Sequence, residues 1–593
     1  MRTLGSSLIA ALCLFGCSSG SNHERGGTGS SGSGTSGSSS TSGGSGNPDA
    51  GSTSLGGSST MGGTSSNGGT GTPPGGGSSS TTGGTPGSSG SVGYSLNCPT
   101  PATGRPVLRL FTRFEFDNTI NDVFPAVKGQ WSNSLPAGSL AGSGFDNDSS
   151  ISPGDQFVSG LVETAESVGT SVAGAGLATL LPCSSAAADR ACASTFVEQF
   201  GRRLFRRPVT AAEKERYLAF FDTTKAATDF KTAIKWITAG LVQSPNAVFR
   251  SEVGTVVNGA RVLSAYEQAS ELAYTFTGST PSDELLTKAA SGNLGDLVVT
   301  AKSLLATPSG QRVVQRFFEG YLDYPRVAAI SKTNITAPAF SSVSQAMVQE
   351  TNKFIEEVIL NKGGGLKQLL TANTSNPSKD LATYYGFPTP SADYASITRP
   401  AGKGIGVLAQ GAFLASHANS DASSPTQRGL FPYYRLLCQP KLTAPPDVPN
   451  ISVAAQTNTT RERYEIAHIS AGTSCPVCHK KFDPIGFAFE HFDEGGRYRD
   501  MQGGEAIDSA ASVPGPDGNP IFSFKTQEEL VTGLTELPVV YQCFSAYMAA
   551  YAFGTTESCL GSRNVTALQG GTGIVEAFSS LAGEPNFTQR KAQ

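Results

Sequence analysis

The chain has 593 residues, with 43 Lys and Arg against 47 Asp and Glu and a formal charge of −4. That balance argues against a general nucleic-acid binder, which carries a basic stripe. The body holds no run of about 18 or more apolar residues, so nothing there spans a bilayer as a helix.

The N-terminus reads as an address. Met1 and Arg2 are weakly positive, and residues 8–15 form a short apolar stretch, the pattern of a secretory signal. Leu14-Phe15-Gly16-Cys17 follows, similar to the bacterial lipobox, in which the Cys is lipidated and becomes the new N-terminus. Cys17 is therefore the expected lipid anchor of a lipoprotein, with 1–17 its signal; the alternative is a plain signal peptide with a chance Cys. Ser18 in place of Asp implies the outer membrane or cell surface of the envelope by the same sorting logic. Residues 18–97 hold 26 Gly and 25 Ser among 80 residues and cannot bury enough apolar surface to offset their ordering entropy. A disordered tether is expected, reaching roughly 50 Å root-mean-square.

Downstream, apolar spacing argues mostly helix. Phe196, Phe200 and Leu204, then Tyr217, Phe220 and Phe221, give two helices split at Arg207-Pro208. The arginines at 202–207 read as a solvated face with salt bridges or as an anion site. Short strands are expected near 256–263 and 519–524. Leu263, Tyr266, Ala269, Ala273 and Phe276 mark another helix, and Met347, Thr351, Phe354, Ile355 and Val358 a further one. Thr459 and Glu462 form a capping box, which predicts a helix from about Thr460 to Ile469. Residues 539–553 read as a helix carrying Met548. The expected architecture is a mostly α, multi-module protein in two lobes joined through the loop near 387–404. Its modules are N-terminal helical modules at 98–254, a central helical module at 255–390, the Cys-x-x-Cys-His module at 404–510 and a C-terminal helical module at 515–593.

Ten Cys are present. Cys13 leaves with the signal and Cys17 takes lipid. Cys183 and Cys192 flank a short polar loop and are the first disulfide candidates in an exported chain. Cys543 with Cys559, and Cys98 with Cys438, are further pairings.

Cys475-Pro476-Val477-Cys478-His479 is the c-type haem attachment pattern. Two thiols three apart reach the two vinyl groups of one porphyrin edge, and the adjacent imidazole is the proximal iron ligand. One covalent haem c on Cys475, Cys478 and His479 is the expectation. A small disulfide, a zinc site needing a further ligand and a redox dithiol are the competing readings. Ile485, Phe487, Phe489 and Phe492 suit either a porphyrin wall or core packing. The distal ligand is open, with Met548, His491 and Met501 as candidates beside His417, His468 and Met347. A filled sixth position points to electron transfer, an open one to small-molecule chemistry.

Six blocks carry a family resemblance. They are 110–119 with Asp122, 200–210 with Glu213, 263–267 through Asp283 and Leu286 to Leu294, and Leu369-Leu370-Thr371 with Tyr385-Gly386. The fifth runs from Gly406 through Ser424-Pro425-Thr426-Gln427-Arg428-Gly429, Cys438 and the Cys-x-x-Cys-His to Asp483-Pro484-Ile485-Gly486-Phe487 and Gly495-Gly496-Arg497-Tyr498. The sixth is 527–530, Cys543 and Tyr551-Ala552-Phe553-Gly554. In this order they resemble the exported planctomycete- and myxobacterial-type cytochrome c-like proteins, built of adjoining domains of unknown function. Relatives often have Gly-Arg at Gly554-Thr555, and Met or Ile at Phe482. The resemblance implies a haem-type cytochrome.

The expected function is a surface-tethered monohaem c-type cytochrome-like lipoprotein that transfers electrons to a redox partner protein, held to the membrane by its lipid. The alternatives are a surface redox enzyme with an open iron and a haem-free binding or structural protein, polysaccharide-associated or otherwise. Whether the chain is an enzyme stays open.

Overall fold

Thr112, Thr210, Ser264 and Thr459 each open a helix with a complete capping box. In each, the hydroxyl accepts the third helical N–H while a Glu side chain returns to the cap N–H. These are local instructions, and the chain obeys them. The computed structural model describes residues 103–138, 144–442, 459–469, 474–555 and 564–592. The signal segment, Cys17, the Gly/Ser tract, Cys98 and Cys559 lie outside those residues. The described part is mostly helix, with five small sheets of two or three strands among it.

Two apolar cores organise it. The N-terminal core gathers Phe124, at the end of helix Arg113–Val123, with Val168, Val172, Phe196, Phe200, Ile234 and Ile237 from helices Asp155–Ala173, Arg190–Phe205 and Phe230–Val242. Gly169 lets two of these helices touch, because a Cβ there would meet the Lys235 carbonyl. Trp131 and Trp236 are half-buried against this core. The predicted break at Arg207-Pro208 is present: one helix ends at Phe205 and the next begins at Ala211. The arginines there are mostly ion-paired at the surface, Arg202 and Arg203 to Asp283 and Arg207 to Glu213. Arg206 is the exception. It is buried and donates to the carbonyls of Leu204, Ala247, Asn246 and Phe249.

The second core is continuous from Ala269 to Phe587, with Phe145 added from upstream. It includes Leu381, Tyr384, Val407 and Leu408, so the 387–404 loop runs within one core. The two lobes are present as two apolar cores within one compact body, and the expected join at 387–404 is wrong: the boundary between the cores lies near 249–265. Apolar residues on both sides of the 387–404 loop belong to one core, which polar loop composition does not reveal. Strands Thr255–Val257 and Ala260–Val262 sit at the join, and Gln589–Lys591 pairs with the latter. Strand Pro520–Phe524 also falls where expected.

The lobes meet over a buried ionic cluster. Strand Val107–Leu110 pairs antiparallel with Phe249–Glu252, placing Arg109 opposite Arg250. Arg109 Nε donates to Glu252 Oε1 at 2.8 Å, and Arg590 donates to Glu252 Oε2 at 2.6 Å. Arg250 donates to Glu271 at 2.8 Å and to Glu115 at 3.2 Å. All six side chains are buried. Burial alone would raise the Glu252 pKa, but Arg109, Arg590 and Arg250 hold it far below the usual carboxylate range.

Among the described residues two disulfides are formed, Cys183–Cys192 and Cys438–Cys543. The second replaces both further pairings read from sequence. Cys438 and Cys543 lie 105 residues apart, and packing of the 432–436 turn against helix Pro538–Phe553 brings them together. Both bonds suit an exported protein in an oxidising compartment. Among the described residues no helix is long and apolar enough to cross a membrane.

Removing one partner of a buried ion pair strands the others. Glu252→Gln, which leaves Arg109 and Arg590 short of a counter-charge, is expected to cost about 3–5 kcal/mol in guanidinium unfolding. A loss below about 1 kcal/mol would show that the cluster does not hold the lobes together.

Candidate functional site

The Cys-x-x-Cys-His segment folds as one tight turn. Helix Pro476–His479 has Pro at its first position, where the missing N–H costs nothing. The His479 N–H donates to the Cys475 carbonyl at 3.0 Å, so both sulfurs and the imidazole leave a single helical turn. Cys475 is buried and Cys478 half-buried, and both are thiols outside any disulfide. A small Cys475–Cys478 disulfide is therefore not the state of this structure.

Helix Asp483–Phe487 follows at once and supplies the turn's anchor. The Asp483 side chain is 0% exposed. His479 Nδ1 donates to Asp483 Oδ2 at 2.9 Å, and His468 Nδ1 lies 3.3 Å from the same oxygen. Thr426 Oγ1 donates to the other oxygen, Oδ1, at 2.7 Å. Burial by itself would raise the Asp483 pKa; the bonds from His468, His479 and Thr426 outweigh it and hold the carboxyl below its ordinary range. The two imidazoles face each other, with ring centroids 4.0 Å apart. Tyr464 lies edge-on behind His468 at 4.7 Å. The predicted helix is present as Thr460–Tyr464, and it widens into a π-helical turn over Glu465–Ile469 that carries His468.

The block 424–429 frames this turn residue by residue. Ser424 caps helix Pro425–Phe431, and Thr426 reaches Asp483. Arg428 is fully buried and donates to the carbonyls of Leu414, Phe489, Phe492 and Asp493, with bonds of 2.6–3.1 Å from its terminal nitrogens. Burial lowers its pKa to about 10. Gly429 and Gly486 let the two helices cross without side chains between them. A Cβ on Gly429 would strike the Phe482 carbonyl, and one on Gly486 the Pro425 carbonyl.

The remaining candidates are spread out. Met548 is buried in the core on helix Pro538–Phe553, and Met347 is buried in the same core. Met501 is exposed on a two-residue strand. His491 stacks on Tyr498 at 5.2 Å, and its Nδ1 faces the Arg499 carbonyl at 2.9 Å. His417 is buried against Phe413 and Phe431. Ile485, Phe487, Phe489 and Phe492 are all buried; Phe489 packs on Phe413 and Phe492 on Tyr498. That run is core. Of the six distal candidates, His468 alone is brought against His479. Sequence spacing assigns no role to Asp483 or Thr426; their signal is their place beside Cys-x-x-Cys-His and in the 424–429 block.

Three adjoining parts of the chain match known families. Residues 192–252 match "Protein of unknown function (DUF1595)", 263–387 match "Protein of unknown function (DUF1592)" and 404–502 match "Protein of unknown function (DUF1588)". The chain is thus an assembly of modules of unknown function, and the third contains the whole site. No curated protein and no solved structure matches the chain.

Two expectations follow. Gly486→Ala forces helices 425–431 and 483–487 apart, and should cost about 1–3 kcal/mol in thermal unfolding. Unchanged stability would mean that the crossing is not close. His417 has its pKa lowered to about 3, first by burial and then by nearby Arg326 and Arg428, against an opposing bond to the Phe413 carbonyl. Between its ordinary 6.5 and about 3, the unfolded chain binds a proton that the fold refuses, so stability falls as pH falls through that window. At pH 4 the loss from this group should reach about 3 kcal/mol. His417→Phe should flatten that acid limb in denaturant titrations at pH 7 and pH 4; parallel curves for both proteins would refute it.

Proposed function

We propose that the chain is a monohaem c-type cytochrome-like protein of the cell envelope, which passes electrons to a redox partner protein. The observation that carries this reading is the Asp483–His479 pair inside an intact Cys-x-x-Cys-His turn. A haem-binding His ordinarily donates its other ring N–H to a carboxylate or carbonyl, which fixes the tautomer. Here Nδ1 of His479 faces Asp483 at 2.9 Å, so Nε2 is the nitrogen left to bind iron. The donor set fits the group in chemistry as well: two thiols three residues apart, an imidazole next to the second, and a compartment in which disulfides form.

Cys475 and Cys478 would hold the porphyrin edge by thioether bonds and His479 would bind the iron; haem bound so supplies a one-electron couple. Asp483, ionised and buried, strengthens His479 as a donor and keeps its ring from rotating. Thr426 and Arg428 keep the carboxylate and the following turn in place. The matched module at 404–502 goes under the short name PSCyt3, which supports a cytochrome-like role for it. Lipidation at Cys17 and the Gly/Ser tract would tether this lobe to the outer membrane while leaving it reach toward a partner.

The test is expression in a host competent for c-type maturation, followed by a reduced-minus-oxidised spectrum of the denatured protein. Haem that survives denaturation, and is lost in Cys475→Ala/Cys478→Ala, is the expected result. Carbon monoxide added to the native, reduced protein should leave its spectrum unchanged if the iron is closed for electron transfer. A chain without haem, beside a control cytochrome that matures, would sink the reading; a carbon monoxide complex would move it to small-molecule chemistry.

A further inference from the structure

The histidines and carboxylate at this turn converge more closely than iron ligation by His479 alone requires. One oxygen, Asp483 Oδ2, faces two imidazole nitrogens at 2.9 and 3.3 Å. Donor atoms of His468, His479 and Asp483 all lie within 4.8 Å of one another. Donors that share one first-row ion through bonds of about 2.0–2.2 Å stand roughly 3–3.5 Å apart. We propose that, in the chain without haem, His468, His479 and Asp483 bind a divalent first-row transition-metal ion through the two Nδ1 atoms and Oδ2.

The surroundings suit an ion. Two imidazoles and one carboxylate form a neutral-and-anionic donor set that first-row divalent metals take, with further positions left for water. The carboxylate is fully buried, and its second oxygen is fixed by Thr426, as an outer-shell partner fixes a metal ligand. The His468 ring is backed by Tyr464 and carried on a π-helical turn, a local irregularity concentrated at functional sites. Both histidine side chains remain about one-fifth exposed, at 19% and 21%, so an ion can enter. Neither thiol is required.

The site also defines two exclusive states. A neutral imidazole carries one acceptor nitrogen. When Nδ1 of His479 binds the ion, its ring proton moves to Nε2, and that nitrogen can no longer bind iron. When Nε2 binds iron, Nδ1 keeps its proton for Asp483. Metal and haem therefore compete for one side chain, and an ion held before haem attachment would keep His479 in place while the thiols are still reduced.

Cobalt(II) titration of the full chain, exported in a host without c-type maturation, tests this. The expected result is one Co2+ per chain with visible d–d bands. Affinity should fall at least about tenfold in His468→Ala and in Asp483→Asn. It should persist in Cys475→Ala/Cys478→Ala. No binding by the wild-type chain would overturn the proposal. So would binding that survives in His468→Ala and disappears in the cysteine double variant, because the thiols would then be the ligands. Far-ultraviolet circular dichroism of each variant separates loss of the site from loss of the fold. The same proteins made in a maturing host distinguish the two readings: Co2+ binding with failed haem attachment sinks the cytochrome and leaves the metal site. Haem attachment without Co2+ binding to the haem-free chain does the reverse. Uptake of Co2+ by the haem-loaded chain would overturn His479 as a shared ligand.

Discussion

A charge taken out of water must find its partners inside the protein, and that constraint organises both lobes. At the join, three arginines and three glutamates from five separate stretches of chain meet in the buried interior. Each stretch is held because leaving would strand a charge. The N-terminal strand, the strand after the first helical module, helix Ala265–Thr277 and the C-terminal strand are thereby fixed to one point. Apolar packing alone would allow these segments to slide; paired charges with direction do not.

The second lobe applies the same constraint at its site. Arg428 has no carboxylate within its hydrogen bonds and is satisfied by backbone carbonyls, so its role is to set the path of the 489–493 turn. Asp483 has the opposite sign and is satisfied by donors from three places: Thr426, His468 and His479. Gly429 and Gly486 then follow as a packing consequence. The two helices that carry Thr426 and Asp483 can approach within hydrogen-bond reach only if nothing projects between them.

Much of this was legible in the sequence, and for local reasons. The capping box at Thr459, the Arg207-Pro208 break and the helix around Met548 depend on residues within a few positions of each other. The Cys183–Cys192 bond spans only nine residues and was legible for the same reason. The Cys438–Cys543 bond was not, since its partners meet only after the whole second core has formed. The site divides in the same way. Cys475, Cys478 and His479 follow from spacing within one turn, whereas Thr426 reaches Asp483 across 57 residues. The aromatic run after the motif shows the limit of composition: Phe487 and Phe489 suit a cofactor wall and a core equally, and long-range packing assigned them to the core.

The exposure gradient across the site separates what must stay fixed from what must be reached. Asp483 is fully enclosed, while His468 and His479 lie at the rim with about a fifth of each side chain in solvent. A buried anion in a low-dielectric surround acts more strongly on its two imidazoles than an exposed one would, because water does not screen it. The same carboxylate therefore does two things. It selects which nitrogen of His479 carries the proton, and it makes the other nitrogen the better donor. A group bound at Nε2 of His479 would feel Asp483 through the ring without touching it, and Thr426 sets how firmly that influence is held.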